Sequence, residues 1–274
     1  MLTLITATLN AGRYIEQAFA SVPIGGAVAI QHIVIDGGST DATVEICHRF
    51  SAIETVVEPG CSIYEAWNIG VDRARGDWVM FLNADDELAD GAAAAVAACF
   101  ARRPDAAIVA GRAEMIDRAK PEAPPLVLVA APGGLLDVEQ LALGVPAINA
   151  MAFRRSLFDE YGRFDTVYRI AGDRAFLLRL VLGAAPPAVA TADAVLYRYY
   201  SHSGSLTLQR GLEQRLRIAR DHIPLARHLL DERPPVSAAR LLRYWRRREA
   251  AVATLRCAAA GRAGEALRFA AQLF

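Results

Sequence analysis

The chain has 274 residues, 54% of them hydrophobic, with 30 basic and 30 acidic residues and a formal charge of zero. This allows one large α/β domain, with or without an appendage, and excludes a wholly disordered chain. A zero net charge gives no case for a nucleic-acid-binding protein.

The zero hides an asymmetry. From Thr207 to Phe274 there are 14 Arg and 6 acidic residues, a net of +8, so residues 1–206 carry −8. The four cysteines, Cys47, Cys61, Cys99 and Cys257, form no C-x-x-C pair. They give neither a zinc ribbon nor a redox motif and are expected to be reduced thiols. The N-terminus lacks the charged start of a signal peptide, and no apolar run is long enough to span a bilayer. These features predict a cytoplasmic protein, soluble or peripheral at the inner face of the membrane.

In chain order, residues 2–6 predict a short apolar strand, broken at Asn10-Ala-Gly12. Ile15, Ala18, Phe19 and Val22 recur at helical spacing. His32–Asp36 predicts a buried parallel strand, turned by Gly37-Gly38-Ser39-Thr40, with Ser39 or Thr40 as cap of the next helix. Thr55–Glu58 is a third strand. Ser62-Ile-Tyr-Glu65 reads as a capping box opening a helix to about Ala74. Trp78–Asn83 is a fourth strand, and Ala106–Ala110 a fifth after an Ala-rich helix. Arg155–Tyr161 and Asp173–Leu182 predict helices, and Ala194–Tyr199 a strand. Beyond Thr207 the pattern is helical, with breaks expected at Pro224 and Pro234-Pro235.

Alternating strands and helices with short connections predict a parallel sheet covered on both faces. Ligands bind such sheets beyond the carboxyl ends of the strands. Polar residues gather there: Thr8 and Asn10, Asp36, Glu58, then Asn83, Asp85 and Asp86. Adjacent acids after an apolar strand repel one another, and a hard divalent cation relieves the repulsion. The alternative is a solvated turn with a helix cap. Asp36 can accept from a ligand N–H or organise its own loop. Glu65 and Asn68 share a helix face. Glu65 suits the capping box, whereas Asn68 is a poor helix-interior residue and so a candidate for ligand contact. Asp173 is either an N-cap or a catalytic acid or base, and His202 is a loop histidine. No G-x-G-x-x-G follows a strand and no Walker A loop is present, so a nucleotide site here is of neither type.

Four segments resemble the family 2 glycosyltransferases, the inverting group with the GT-A fold. They are Thr6-Ala-Thr-Leu-Asn10, Asp36-Gly-Gly-Ser-Thr-Asp-Ala-Thr43, Glu58-Pro-Gly-Cys-Ser-Ile-Tyr-Glu-Ala-Trp-Asn-Ile-Gly70, and Arg75-Gly-Asp-Trp-Val-Met-Phe-Leu-Asn-Ala-Asp-Asp86. The last resembles the block that carries the DxD motif, with Asn83 in place of its first Asp. Gly60, Ser62 and Glu65 replace the usual Asp, Gly and Asp. A weaker match runs from 144 to 182, with Asn149 and Ala150 where the family often carries His-Gln.

The resemblance implies a GT-A fold, a mostly parallel central sheet with helices on both faces, here followed by a C-terminal helical tail. It implies a nucleotide-sugar-binding half at 1–110, an acceptor-binding half at 111–206, and leaves a basic helical tail at 207–274. Ala7, Thr8 and Leu9 would line the nucleobase pocket and Asp36 would bind the base. Asn68 joins the donor-binding set, and Asn83 would sit near the ribose. Asp85 would ligate Mn²⁺ or Mg²⁺, with Asp86 second and His202 a further metal or diphosphate ligand. Asp173 would be the catalytic base. The implied activity moves a hexosyl or N-acetylhexosaminyl group from a nucleoside-diphosphate sugar, UDP first, to an acceptor hydroxyl on a saccharide or lipid-linked molecule, in polysaccharide or glycolipid synthesis. The alternative is a catalytically weak GT-A scaffold within a polysaccharide assembly complex. The arginine-rich helices around Leu241–Arg248, with Leu255, Leu267, Phe269 and Leu273, suit either a peripheral membrane contact or ordinary packing, on this domain or in a homo-oligomer.

Overall fold

The computed structural model describes residues 1–202 and 211–273. It divides into two compact units. The first is Met1–Leu136, Ala147–Thr166 and Pro187–Ser201; the second is Asp137–Pro146, Val167–Pro186 and His202–Phe274. In chain order the elements are β1 (Leu2–Thr8), α1 (Ile15–Ala20), β2 (Ile30–Asp36), α2 (Thr43–Arg49), β3 (Ile53–Val57), α3 (Ile63–Arg73), β4 (Trp78–Phe81), β5 (Glu87–Leu88), α4 (Ala92–Arg102), β6 (Ile108–Asp117) and β7 (Leu126–Val129). There follow α5 (Val138–Leu143), β8 (Met151–Arg154), α6 (Ser156–Glu160), α7 (Gly172–Leu182), β9 (Val189–Ser201), α8 (Leu212–Asp231), α9 (Val236–Ala259) and α10 (Ala263–Ala270).

Among the described residues all strands lie in the first unit, in the order β3-β2-β1-β4-β8-β6-β9-β5, with β7 beside β6. The half built from β3, β2, β1 and β4 is parallel throughout. Each of its strands follows the last through a helix, the connection a parallel pair requires. Beyond β4 the sheet is mixed. β8 runs antiparallel to both β4 and β6, β6 and β9 are parallel, β5 pairs antiparallel with β9, and β7 pairs antiparallel with β6. The parallel sheet expected from the sequence is thus its N-terminal half.

Apolar runs put β1, β2 and β4 in the centre: Leu4, Ile5, Ile33, Val34, Ile35, Val79 and Met80 have no exposed surface. Helix α3 lies close on β1. A Cβ added at Gly70 would stand 2.4 Å from Ile5 Cγ2, so only glycine fits there. Trp67 of α3 stacks on Phe81 of β4, with centroids 4.4 Å apart, and both rings pack edge-on to Phe164 at 5.1 Å. The expected capping box is present: Ser62 Oγ accepts from Glu65 N, and Glu65 Oε2 accepts from Ser62 N at 2.7 Å. Ser39 and Thr40 do not cap α2. Its first residue, Thr43, donates its N–H to Asp41 Oδ1 instead.

In the second unit, Leu216, Ala219 and Ile223 of α8 pack with Ala250, Ala253 and Cys257 of α9 and Ala266 of α10. The three- and four-residue spacing lines these side chains along one face of each helix. Leu242 and Trp245 have no exposed surface, so ordinary packing takes these two apolar positions of the Leu241–Arg248 stretch. Tyr244, Leu255 and Leu267 remain more than half exposed. The break expected at Pro224 does not occur, because α8 continues through it. Proline removes one hydrogen bond, to the carbonyl of Arg220. Ile223 before it and Leu225 and Ala226 after it are buried, and this burial holds the turn. Pro234-Pro235 separates α8 from α9 as expected. Among the described residues no helix is long and apolar enough to cross a membrane.

Candidate functional site

The register of the parallel half sets Thr8, Asp36 and Val57 side by side at the carboxyl edge of the sheet. Two loops leave that edge and are tied together. Asn10 sits at φ 52, a left-handed conformation that Asn tolerates, and its N–H donates to Ser39 Oγ at 2.8 Å. Asn10 Oδ1 accepts from Thr40 N at 2.9 Å. Ala11 N–H donates to Thr43 Oγ1 at 2.8 Å and Gly12 N–H to Asp41 Oδ2 at 3.0 Å. The Thr43 hydroxyl and the backbone donors hold the Asp41 carboxyl below its usual range.

Asp36 has no exposed surface. Its Oδ1 accepts from Gly38 N at 2.9 Å and Ser39 N at 2.7 Å, and its Oδ2 from Ser39 Oγ at 2.5 Å. Of the two readings open in the sequence, these contacts are those of loop organisation. Thr8 Oγ1 is buried and has no hydrogen-bond partner, Ala7 is half-buried, and Leu9 is 57% exposed.

The turn after β4 carries the acid pair. Asp86 is buried and both of its oxygens are occupied. Oδ2 accepts from Asn83 Nδ2 and from Tyr197 Oη, each at 2.9 Å, and Oδ1 from Tyr200 N at 2.7 Å. Tyr197 Oη also accepts from Asn83 N at 2.9 Å. Burial, reinforced by the neighbouring Asp85 carboxylate, pushes Asp86 up to about 7 against those three hydrogen bonds. Asp86 therefore anchors the turn, which leaves little of it for the second metal-ligand role expected of it.

Asp85 is half-buried. Its backbone carbonyl accepts from Arg118 Nη2 at 2.9 Å. The Arg118 guanidinium lies between the rings of Tyr14 and Tyr200, 4.7 and 4.3 Å from their centroids. Asn149, one of the two residues at the His-Gln position, is buried. It donates to Phe81 O at 3.0 Å and accepts from Tyr199 Oη at 3.1 Å, with its Nδ2 3.5 Å from Asn83 Oδ1. Sequence reasoning missed Arg118, Tyr197, Tyr199 and Tyr200. The only available signal was the run Tyr197-Arg-Tyr-Tyr200 on a strand that also contains Leu196.

Asn68 is tied to another part of the chain. Its Nδ2 donates to Phe164 O and its Oδ1 accepts from Phe164 N, both at 2.9 Å. This clamp uses one N–H and one lone pair of the amide expected to contact the donor, and it gives Asn68 a structural role.

In the second unit, Asp173 is not the cap of α7. It occupies the first turn, where its charge favours the helix N-terminus, and its Oδ1 lies 2.7 Å from Arg174 N. His202 is described, but residues 203–210 of its loop lie outside the described residues. Among the described residues no three His, Cys, Asp or Glu side chains gather as a metal-binding group.

This α/β sheet, with its parallel N-terminal half and an acid-bearing turn after β4, is that of a glycosyltransferase of the GT-A fold. Staphylococcus aureus TarS in complex with UDP-GlcNAc superposes with a TM-score of 0.62 at 16% identity, over 89% of this chain and 71% of that one. The mannosyltransferase PcManGT from Pyrobaculum calidifontis, in complex with GDP-Man and Mn²⁺, gives 0.62 at 19% identity, over 98% and 78%. The chain belongs to glycosyl transferase family 2, whose profile matches residues 3–162. It is similar to a PGL/p-HBAD biosynthesis glycosyltransferase of Mycobacterium bovis, 29% identical over 216 residues, 76% of this chain and 79% of the relative. An uncharacterized glycosyltransferase of Haemophilus influenzae is 32% identical over 97 residues, 33% of this chain and 38% of the relative.

Proposed function

We propose that this glycosyltransferase moves a sugar, with inversion, from a nucleoside-diphosphate sugar to an acceptor hydroxyl in polysaccharide or glycolipid synthesis. UDP is the leading nucleotide. The mycobacterial relative's name supports a glycolipid-type acceptor, and the UDP-GlcNAc complex of TarS supports a nucleotide-sugar donor. The observation that carries the reading is the turn after β4. Asp86, Tyr197 and Arg118 fix the backbone on which Asp85 stands.

One hard oxygen ligand on a rigid turn suits Mn²⁺ or Mg²⁺, which take the rest of their coordination from phosphate and water. Bound there, the ion would neutralise charge on the departing nucleoside diphosphate. The Mn²⁺ complex of PcManGT supports this choice. In the proposed division, residues 1–110 hold the donor, 111–206 the acceptor, and 207–274 form the tail. Thr8, with its unpaired buried hydroxyl, and the backbone of Ala7 and Leu9 face the nucleobase. Asn83 lies near the ribose, and His202 assists at the diphosphate. Asp173 takes the acceptor proton as general base. The exposed Tyr244, Leu255 and Leu267, among the tail arginines, are the surface for peripheral contact with an anionic membrane.

Thermal shift with UDP and GDP, with and without Mn²⁺, tests the reading, because a ligand that binds only the native state raises its stability. Wild type should be stabilised by nucleotide only when Mn²⁺ is present, and Asp85→Ala should lose that response while melting normally alone. An unchanged response in Asp85→Ala removes the metal role.

A further inference from the structure

The helix that carries Asp173 belongs to the same compact unit as the tail. Within that unit the tail grips the chain on both sides of Asp173. On the N-terminal side, Ile170 N–H donates to Asp221 Oδ2 of α8 at 2.7 Å. Asp221 is only 8% exposed. Ile170 precedes α7, so its N–H has no carbonyl partner within that helix. A buried carboxylate that accepts from a backbone N–H makes a short, strong bond, and the charge depends on such partners for compensation.

On the C-terminal side stands Arg174. Its guanidinium carbon lies 5.7 Å from the centroid of the Trp245 ring of α9, and its Nη2 donates to Gly144 O at 3.1 Å. Trp245 is itself buried, 4.9 Å from the ring of His222, the residue after Asp221. Between the two grips lie only Ala171, Gly172 and Asp173. Neither Ala171 nor Gly172 has a side chain able to fix the backbone.

We propose that Asp221 is a positioning residue for the transfer reaction: by holding Ile170 N–H, it sets the backbone from which Asp173 reaches the acceptor. Arg174 and Trp245 hold the other side. This gives the tail a part in catalysis, and it rests on Asp173 being the general base. A base displaced by a fraction of the distance it must reach loses rate while the nucleotide stays bound.

The test uses the full chain with Mn²⁺ and follows hydrolysis of UDP-GlcNAc, UDP-glucose and GDP-mannose, with water as acceptor. Asp173→Asn should slow hydrolysis about 100-fold. Asp221→Ala should slow kcat about 10-fold or more with donor KM unchanged. Asp221→Asn, whose Oδ1 still accepts from Ile170, should recover most of the rate. Amide exchange at 167–173 should quicken in Asp221→Ala and less so in Asp221→Asn. In an Asp173→Asn background, Asp221→Ala should cost little more, because both act through one group. Should Asp221→Ala not fold, Asp221→Leu fills the space without an acceptor and takes its place.

Normal hydrolysis by Asp173→Asn would overturn the base reading and this proposal with it. A slow Asp173→Asn alongside a normal Asp221→Ala would overturn the positioning role alone. So would an effect of Asp221→Ala that is undiminished in the Asp173→Asn background, or one that appears only in donor KM.

Discussion

Asn68 and Phe164 exchange two hydrogen bonds, side-chain amide to backbone amide, across 96 residues of chain. The pair ties α3 to the segment after α6, beside the stacked rings of Trp67, Phe81 and Phe164. An asparagine inside a helix costs helix propensity. Here the cost is offset by satisfying a backbone N–H and C=O that no secondary structure serves.

Asn68→Ala should therefore destabilise the first unit by about 2–4 kcal/mol, two lost bonds with both backbone partners left unpaired. Urea unfolding measures this. Nucleotide affinity per folded molecule, by titration calorimetry, should stay within about twofold of wild type. A large affinity loss with normal stability would restore Asn68 to the donor site.

Tyr197→Phe removes one oxygen that both accepts from Asn83 N and donates to Asp86. It should cost about 1–3 kcal/mol of stability, the penalty for buried groups left unpaired. It should also weaken Mn²⁺-dependent nucleotide binding, because the turn carrying Asp85 loses its anchor. A stability loss without any change in metal-dependent binding would separate the turn from the metal site.

Asp36→Ala strips three hydrogen bonds from the loop after β2. Nucleotide binding should weaken by about 1–3 kcal/mol, and the protein should also melt at a lower temperature. Asp36→Asn keeps an acceptor for the backbone donors and should recover part of both losses. If Asp36→Ala loses binding with an unchanged melting temperature, its carboxylate meets the base directly.

His32 supplies a pH dependence. It is 1% exposed, with Nε2 2.9 Å from Thr6 Oγ1 and Nδ1 without a hydrogen-bond partner. Burial lowers its pKa from 6.5 to about 4. Between those values the unfolded chain holds a proton that the folded chain refuses, so stability rises with pH. The contribution is complete above 6.5 and is lost as pH falls toward 4, about 3 kcal/mol in all. Urea unfolding at pH 7.5 and 4.5 should show this loss, and His32→Leu should reduce it. An identical pH slope in that variant would assign acid sensitivity elsewhere.

The sequence by itself determined what depends on near neighbours. Apolar strands followed by helices gave β1 to β4 and their parallel order, since a parallel pair needs a crossover. Ser62 and Glu65 are three residues apart, and their mutual cap was legible at that range. So was the acid pair just beyond β4, because an apolar strand that runs into polar residues must end in a turn that carries them. Tertiary structure decided what the other acids hold. Asp86 is spent on Tyr197 and Tyr200, more than 100 residues away, and Asp36 on its own loop. It decided that Asn68 holds Phe164, that α8 runs through Pro224, and that Asp221 reaches Ile170. These outcomes rest on hydrogen bonds and packing between distant segments. Periodicity and spacing report the preferences of a local stretch, whereas a buried polar group takes whichever partner the folded chain brings to it.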